Sequence, residues 1–126
     1  MKSVISVFIM IIFVIGGWFF SYKYIENNSL DFIHSLNIMS KNIKNNDWKN
    51  SQNEFLKMKE KWVNIKNTLD LIIDRKEIES VNLIIKKINT YMDLKNVDLT
   101  LNEITVLKEI FRIMIEKESI KLTNIL

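Results

Sequence analysis

The chain contains no cysteine, no proline and no alanine, and its only two glycines are the adjacent pair Gly16-Gly17. Without cysteine there is no disulfide, no thiolate nucleophile, no lipid attachment through sulfur and no cysteine metal site. Without proline or glycine beyond residue 22 there are few natural punctuation points for strands and tight turns, so helices are favoured. No glycine-rich phosphate loop can form after Gly17. A single histidine, His34, is too few for an ordinary zinc site or for a serine-histidine-acid triad with its flanking glycines. The abundance of Ile, Asn and Lys points to an AT-rich bacterial coding sequence, so asparagine carries little functional weight.

Charge is also sparse in one place. The twenty residues Ser3–Tyr22 carry none, and Lys2 and Lys23 bracket them. As a helix this run is about 30 Å long, the thickness of a bilayer's hydrocarbon core. A soluble core helix rarely stays uncharged for so long. A cleaved signal peptide has a shorter apolar core and a small-residue cut site, whereas Gly16-Gly17 is followed at once by Trp18-Phe19-Phe20. The run therefore reads as an uncleaved transmembrane anchor, residues 1–23. Trp18, Phe19, Phe20 and Tyr22 mark its exit at the headgroup layer. The amino terminus and Lys2 outweigh Lys23 by a small margin. The positive-inside rule then puts the N-terminus in the cytoplasm and the domain outside the cell membrane.

The remaining residues, 24–126, fit one small domain. Eighteen basic and fifteen acidic residues give a net charge of +3. That excess is too slight and too dispersed for a nucleic-acid footprint. Trp48, Ser51, Phe55, Met58, Trp62, Ile65, Leu69 and Ile72 recur at alternating three- and four-residue steps, a heptad seam. Asp47 caps this helix, which is expected to reach Asp74. Asp74-Arg75-Lys76-Glu77 has capping-box spacing and starts a third helix after a reversal. That helix carries Ile78, Val81, Ile84, Ile85, Ile88, Tyr91 and Met92.

Thr100-Leu101-Asn102-Glu103 is a second capping-box pattern, with Asp98 as the other candidate start. Leu101, Ile104, Leu107, Phe111 and Met114 form the buried side that follows. A weaker stripe upstream comprises Ile25, Leu30, Ile33, Leu36, Met39 and Ile43. The apolar tail Leu122–Leu126 is expected to pack back on the domain. The expected fold is all-α: one N-terminal transmembrane helix, then a small antiparallel bundle of about four helices. Its core anchors are Trp48, Phe55, Trp62, Leu69, Ile78, Tyr91 and Phe111.

The ordered set of a hydrophobic start, Asp47-Trp48, Trp62, Asp74 with Glu77-Ile78, Tyr91, Glu118 and the Leu122-Thr123-Asn124-Ile125-Leu126 ending resembles the family known as domain of unknown function 4363. The resemblance covers essentially the whole chain. It implies a membrane-anchored protein of spore-forming Firmicutes, without an established reaction. It also implies an association with multi-pass membrane proteins of the YetF-like family, in the spore envelope. The family pattern has Asp-His where this chain has Asp74-Arg75. A histidine-dependent metal or proton-transfer role is thereby lost, while a structural turn tolerates the arginine.

No catalytic, cofactor-binding or metal-ligating set emerges, and the chain reads as a non-enzymatic interaction or accessory subunit. Asp70, Asp74 and Glu77 lie close to Arg75 and Lys76, as an exposed salt-bridge cluster with a helix cap would. In alternating helices this corner and the C-terminal tail come to the membrane side. Asp74, Arg75, Glu77, Leu122, Asn124, Ile125 and Leu126 are accordingly the candidate docking residues. The partner is an integral-membrane protein or a second copy of the chain. The competing reading is an extracytoplasmic ligand-sensing bundle. With only Met1 and Lys2 ahead of the span, it would need a partner to carry the signal inward.

Overall fold

The computed structural model describes residues 1–125 as four helices in an up-down-up-down arrangement. Helix α1 (Lys2–Lys44) is continuous through the apolar run and into the domain. It is followed by α2 (Trp48–Asp70), α3 (Arg75–Asp93) and α4 (Val97–Ile125). Helix α1 packs against α2 and α4, α3 packs against the same two, and the α2–α3 seam is the thinnest. No helix-breaking residue separates the apolar run from the rest of α1, so backbone hydrogen bonding runs across the boundary between them. The apolar window of α1 that is long enough to cross a membrane has none of its residues buried by the bundle.

Cross-helix pairs fix the register. Lys61 bonds Asp31 at 2.7 Å, and the Ser51 hydroxyl donates to the Met39 carbonyl at 3.5 Å. Lys108 reaches Asn37 at 3.0 Å, and Phe32 stacks on Phe111 with centroids 4.9 Å apart. Helices α2 and α4 thus both run antiparallel to α1. At about 1.5 Å per residue, α1 is far longer than the others and projects beyond the bundle at its N-terminal end.

The turns α1–α2 and α3–α4 are the same device. After α1, the Asn46 N–H bonds the Ile43 carbonyl and the Asp47 N–H bonds that of Asn42 at 2.8 Å. After α3, Lys95 bonds Met92 and Asn96 bonds Tyr91 in the same pattern. These are Schellman closures, which need a left-handed residue. Asn46 (φ 57°) and Lys95 (φ 51°) supply it. Asparagine tolerates that region, whereas lysine is strained there. Lys95→Gly is therefore expected to raise stability by roughly 0.5–1 kcal/mol, read as a higher melting temperature. A lower one would show that the strain is absent.

Several sequence expectations are corrected. Helix α2 ends at Asp70 and not at Asp74. The N–H groups of Leu71, Ile72 and Ile73 fold back onto Thr68 and Leu69. This tightening turns Ile73 into the core, leaves Ile72 half-buried and exposes Leu71. Asp74 is the α3 N-cap, but its side chain makes no cap bond. Its backbone carbonyl takes the Glu77 and Ile78 N–H groups instead. Glu77 bonds the Lys117 ammonium at 2.5 Å, a charge-assisted partner that outcompetes a backbone N–H. Helix α4 starts at Val97, before both expected positions. Asn96 caps it through the Leu99 N–H at 3.0 Å, and the Thr100 hydroxyl turns back to the Asn96 carbonyl.

On α1 the buried residues are Ile25, Ser29, Phe32, Ile33, Leu36, Met39 and Ile43. Leu30 is half exposed, because the small Ser29 holds its heptad position and rotates it outward. Trp48 and Tyr91 are half-buried at the edges, while Phe55, Trp62, Leu69, Ile78 and Phe111 are buried. The Asp47 cap is made as expected, with the carboxylate accepting from the Asn50 N–H at 3.2 Å.

Candidate functional site

The end of the bundle where α1 leaves toward its apolar run is where polar chemistry concentrates. The α4 seam runs Thr100, Ile104, Leu107, Phe111, Met114 and then Glu118, all buried. Glu118 thus holds a core position at 6% exposure. Its carboxylate bonds Lys121 at 3.0 Å, which offsets part of the cost of removing it from water. Around it stand two further groups. Glu77 of α3 pairs with Lys117 of α4 and holds that ammonium above the usual lysine range. On α1, the Tyr22 hydroxyl stands near Glu26 and near Ser119 of α4, and Lys23 lies 3.5 Å from Glu26. The outer corner is the ion pairing of Arg75 with Asp70 at 4.0 Å and with Glu79 at 3.7 Å.

The Tyr22 hydroxyl is the main reason that Glu26 sits below the usual glutamate range, with Lys23 adding to it. A carboxylate depressed on folding stabilises the fold fully above its unfolded pKa, and that stability is lost as pH falls through the lower folded value. Tyr22→Phe is therefore expected to reduce the loss of melting temperature on acidification from about pH 6 to about pH 3. Identical profiles for the two proteins would show that the Tyr22 hydroxyl does not act on Glu26.

Two open grooves share this end. One, of about 490 Å³, is lined by Phe13, Val14, Gly17, Trp18 and Ser21 of α1, Leu71 and Ile72 of the α2–α3 turn, and Glu118 and Lys121 of α4. The other brings Asp74, Glu77 and Lys117 beside Leu71–Ile73, Glu118 and Lys121. The α2–α3 turn therefore stands beside Trp18. Of the candidate docking residues, Asp74 and Glu77 come together with α4, while Arg75 faces Asp70 of α2 and Glu79 of α3. Leu122 and Asn124 lie on the last turns of α4, which continue the helix and do not fold back. Leu122 is half-buried and Asn124 exposed. The side chain of Ile125, and Leu126, lie outside the described residues.

His34 is exposed on the outer side of α1. Among the described residues, no three His, Cys, Asp or Glu side chains are grouped to hold a metal. The sequence reading did not place Glu118 in the core, although its four-residue step from Met114 was a usable signal.

A family model described as a domain of unknown function (DUF4363) matches residues 19–125. The chain belongs to this family. The match takes in the whole bundle and begins within the aromatic end of the apolar run, at Phe19. No curated protein and no solved structure matches the chain.

Proposed function

We propose that this DUF4363 protein is a single-pass, membrane-anchored and non-enzymatic accessory subunit. Its helical bundle lies outside the cell membrane and docks an integral-membrane partner. The observation that carries the reading is the apolar window of α1, none of which is buried by its own bundle. A surface of that length and composition is stable in lipid and not in water. Beside it stands a charged corner, with Asp74, the Glu77–Lys117 pair and the end of α4 in one groove and Arg75 paired with Asp70 and Glu79 at its outer side. Such a corner is within reach of a protein embedded in the same bilayer. The grooves are open clefts, which favours docking over the sensing of a small enclosed ligand. The family resemblance supplies a YetF-like multi-pass protein as the candidate partner and the spore envelope as the setting.

The test is co-purification of the full-length protein from detergent-solubilised native membranes, with partners identified by mass spectrometry. Asp74→Ala is expected to lower recovery of a specific membrane protein without lowering the bundle's melting temperature, since its side chain makes no cap bond. Recovery that falls only in proportion to stability would reduce Asp74 to a turn residue.

A further inference from the structure

Helix α1 presents too little free length for the bundle to stand clear of a bilayer. Residues Met1–Val14 are exposed, and the first half-buried positions are Ile15 and Gly16, with Gly17–Phe20 exposed again beyond them. Fourteen residues reach about 21 Å, short of the roughly 30 Å hydrocarbon core. The remaining third of the apolar run stands beside the bundle. Tyr22 meets Ser119 of α4. Followed one residue at a time along the antiparallel pair, the last turn of α4 is level with Gly16–Phe19. On the other side, Leu71 and Ile72 line one groove with Phe13, Val14, Gly17 and Trp18. If the apolar run crosses the membrane, the bundle's lower end enters it too.

The residues at that end suit such a position. Leu71 is 85% exposed at the tip of the α2–α3 turn, against the apolar face of α1. Ile120 on the last turns of α4 is 55% exposed. Two charged pairs stand at the same level, Lys121 with Glu118 and Lys117 with Glu77. Paired charges and exposed aliphatic side chains match a headgroup layer, which is itself zwitterionic above and apolar below.

We propose that the α2–α3 turn and the end of α4 form a lipid-contacting surface seated in the headgroup layer. In this arrangement Leu71 points toward the acyl chains, and a bilayer phospholipid occupies the groove between Leu71 and the Phe13–Trp18 face. The inference rests on the anchor reading and extends it from one helix to the bundle. It also sets the height of the proposed docking corner: Asp74 and Glu77 stand at the membrane surface and not above it.

The chain has no cysteine, so single labels are unique. Leu71→Cys, Leu94→Cys and Ile11→Cys of the full-length protein would each carry an environment-sensitive fluorophore in phosphatidylcholine vesicles. Leu94 is an equally simple control, 68% exposed at the opposite α3–α4 turn. The Leu71 label is expected to lose most of its emission to a nitroxide placed near the lipid headgroup and little to aqueous iodide. The Leu94 label should show the reverse, and the Ile11 label should respond to a nitroxide deep in the acyl chains. A lipid-quenched Ile11 label with a Leu71 label as iodide-accessible as Leu94 overturns the inference and leaves the anchor standing. An iodide-accessible Ile11 label overturns both.

Discussion

Replacing Trp62 with alanine is expected to cost about 3–5 kcal/mol of stability, the usual range for truncating a buried aromatic. The site gives reasons for the upper half. Trp62 is 2% exposed and lies edge-on to both Phe32, at 5.9 Å, and Phe111, at 6.2 Å. Those two rings stack on each other, so three helices meet on one aromatic cluster. Removing the indole leaves a cavity against α1 and α4 at once. It also removes the Nε1–H that donates to Asn82 at 2.7 Å, a polar tie between α2 and α3 where packing is thinnest. Small domains have only about 5–15 kcal/mol in hand. The melting temperature should therefore fall by on the order of 15 °C. Trp62→Phe keeps most of the ring contact and should lose much less, because the half-exposed Asn82 can turn to water. Lys57→Ala, on the exposed side of α2, should stay within about 0.5 kcal/mol of the parent. A Trp62→Ala protein melting alongside Lys57→Ala would mean that the cluster does not hold the bundle.

The second large effect is on membrane retention. Ile11 lies in the exposed part of α1, outside the buried core, so its replacement tests lipid without testing the core. Ile11→Lys is expected to cost about 2.5–3.5 kcal/mol of insertion free energy. The eleven Val, Ile and Phe residues that remain in Ser3–Tyr22 oppose it, each favouring insertion by about 0.3–0.6 kcal/mol. One lysine should thus bring insertion near balance, and Ile11→Lys with Ile12→Lys should abolish it. Measured by alkaline carbonate extraction of membranes, the parent stays in the pellet, the single variant divides and the double variant is released. The melting temperature of the bundle should not change. Full retention of the double variant, or release of the parent, would remove the anchor.

Much of this architecture is legible without coordinates. The α2 seam is carried by side chains at unbroken three- and four-residue steps, and no proline or glycine interrupts it. Burial of Phe55, Met58, Trp62 and Leu69 follows directly. Parity then brings the Asp74 corner to the end where α1 enters its apolar run, because short turns force successive helices to alternate. The Asn46 and Lys95 turns were less legible, since neither uses the glycine that usually marks a left-handed closure.

The misread positions share a cause. Ser29 and Glu118 occupy seam positions, and Thr100 is buried with them, although none is apolar. Hydrophobic periodicity follows the apolar residue nearby, so it points Leu30 inward and leaves Glu118 out of the core. Phe32 was passed over with Leu30, although it forms a third of the aromatic cluster. Which residue faces inward depends on how each helix is rotated against two neighbours. The partners that make a buried serine or glutamate tolerable, such as Lys121 for Glu118, are known only once that rotation is set. The sequence by itself determined the helical class, the α2 seam and an apolar run long enough to cross a bilayer, because these depend on local period and composition. Tertiary packing alone decided that Glu118 enters the core and that Glu77 bonds Lys117 and not its own helix end. It also decided how far the bundle overlaps the apolar run, since that depends on the register between α1, α4 and the α2–α3 turn.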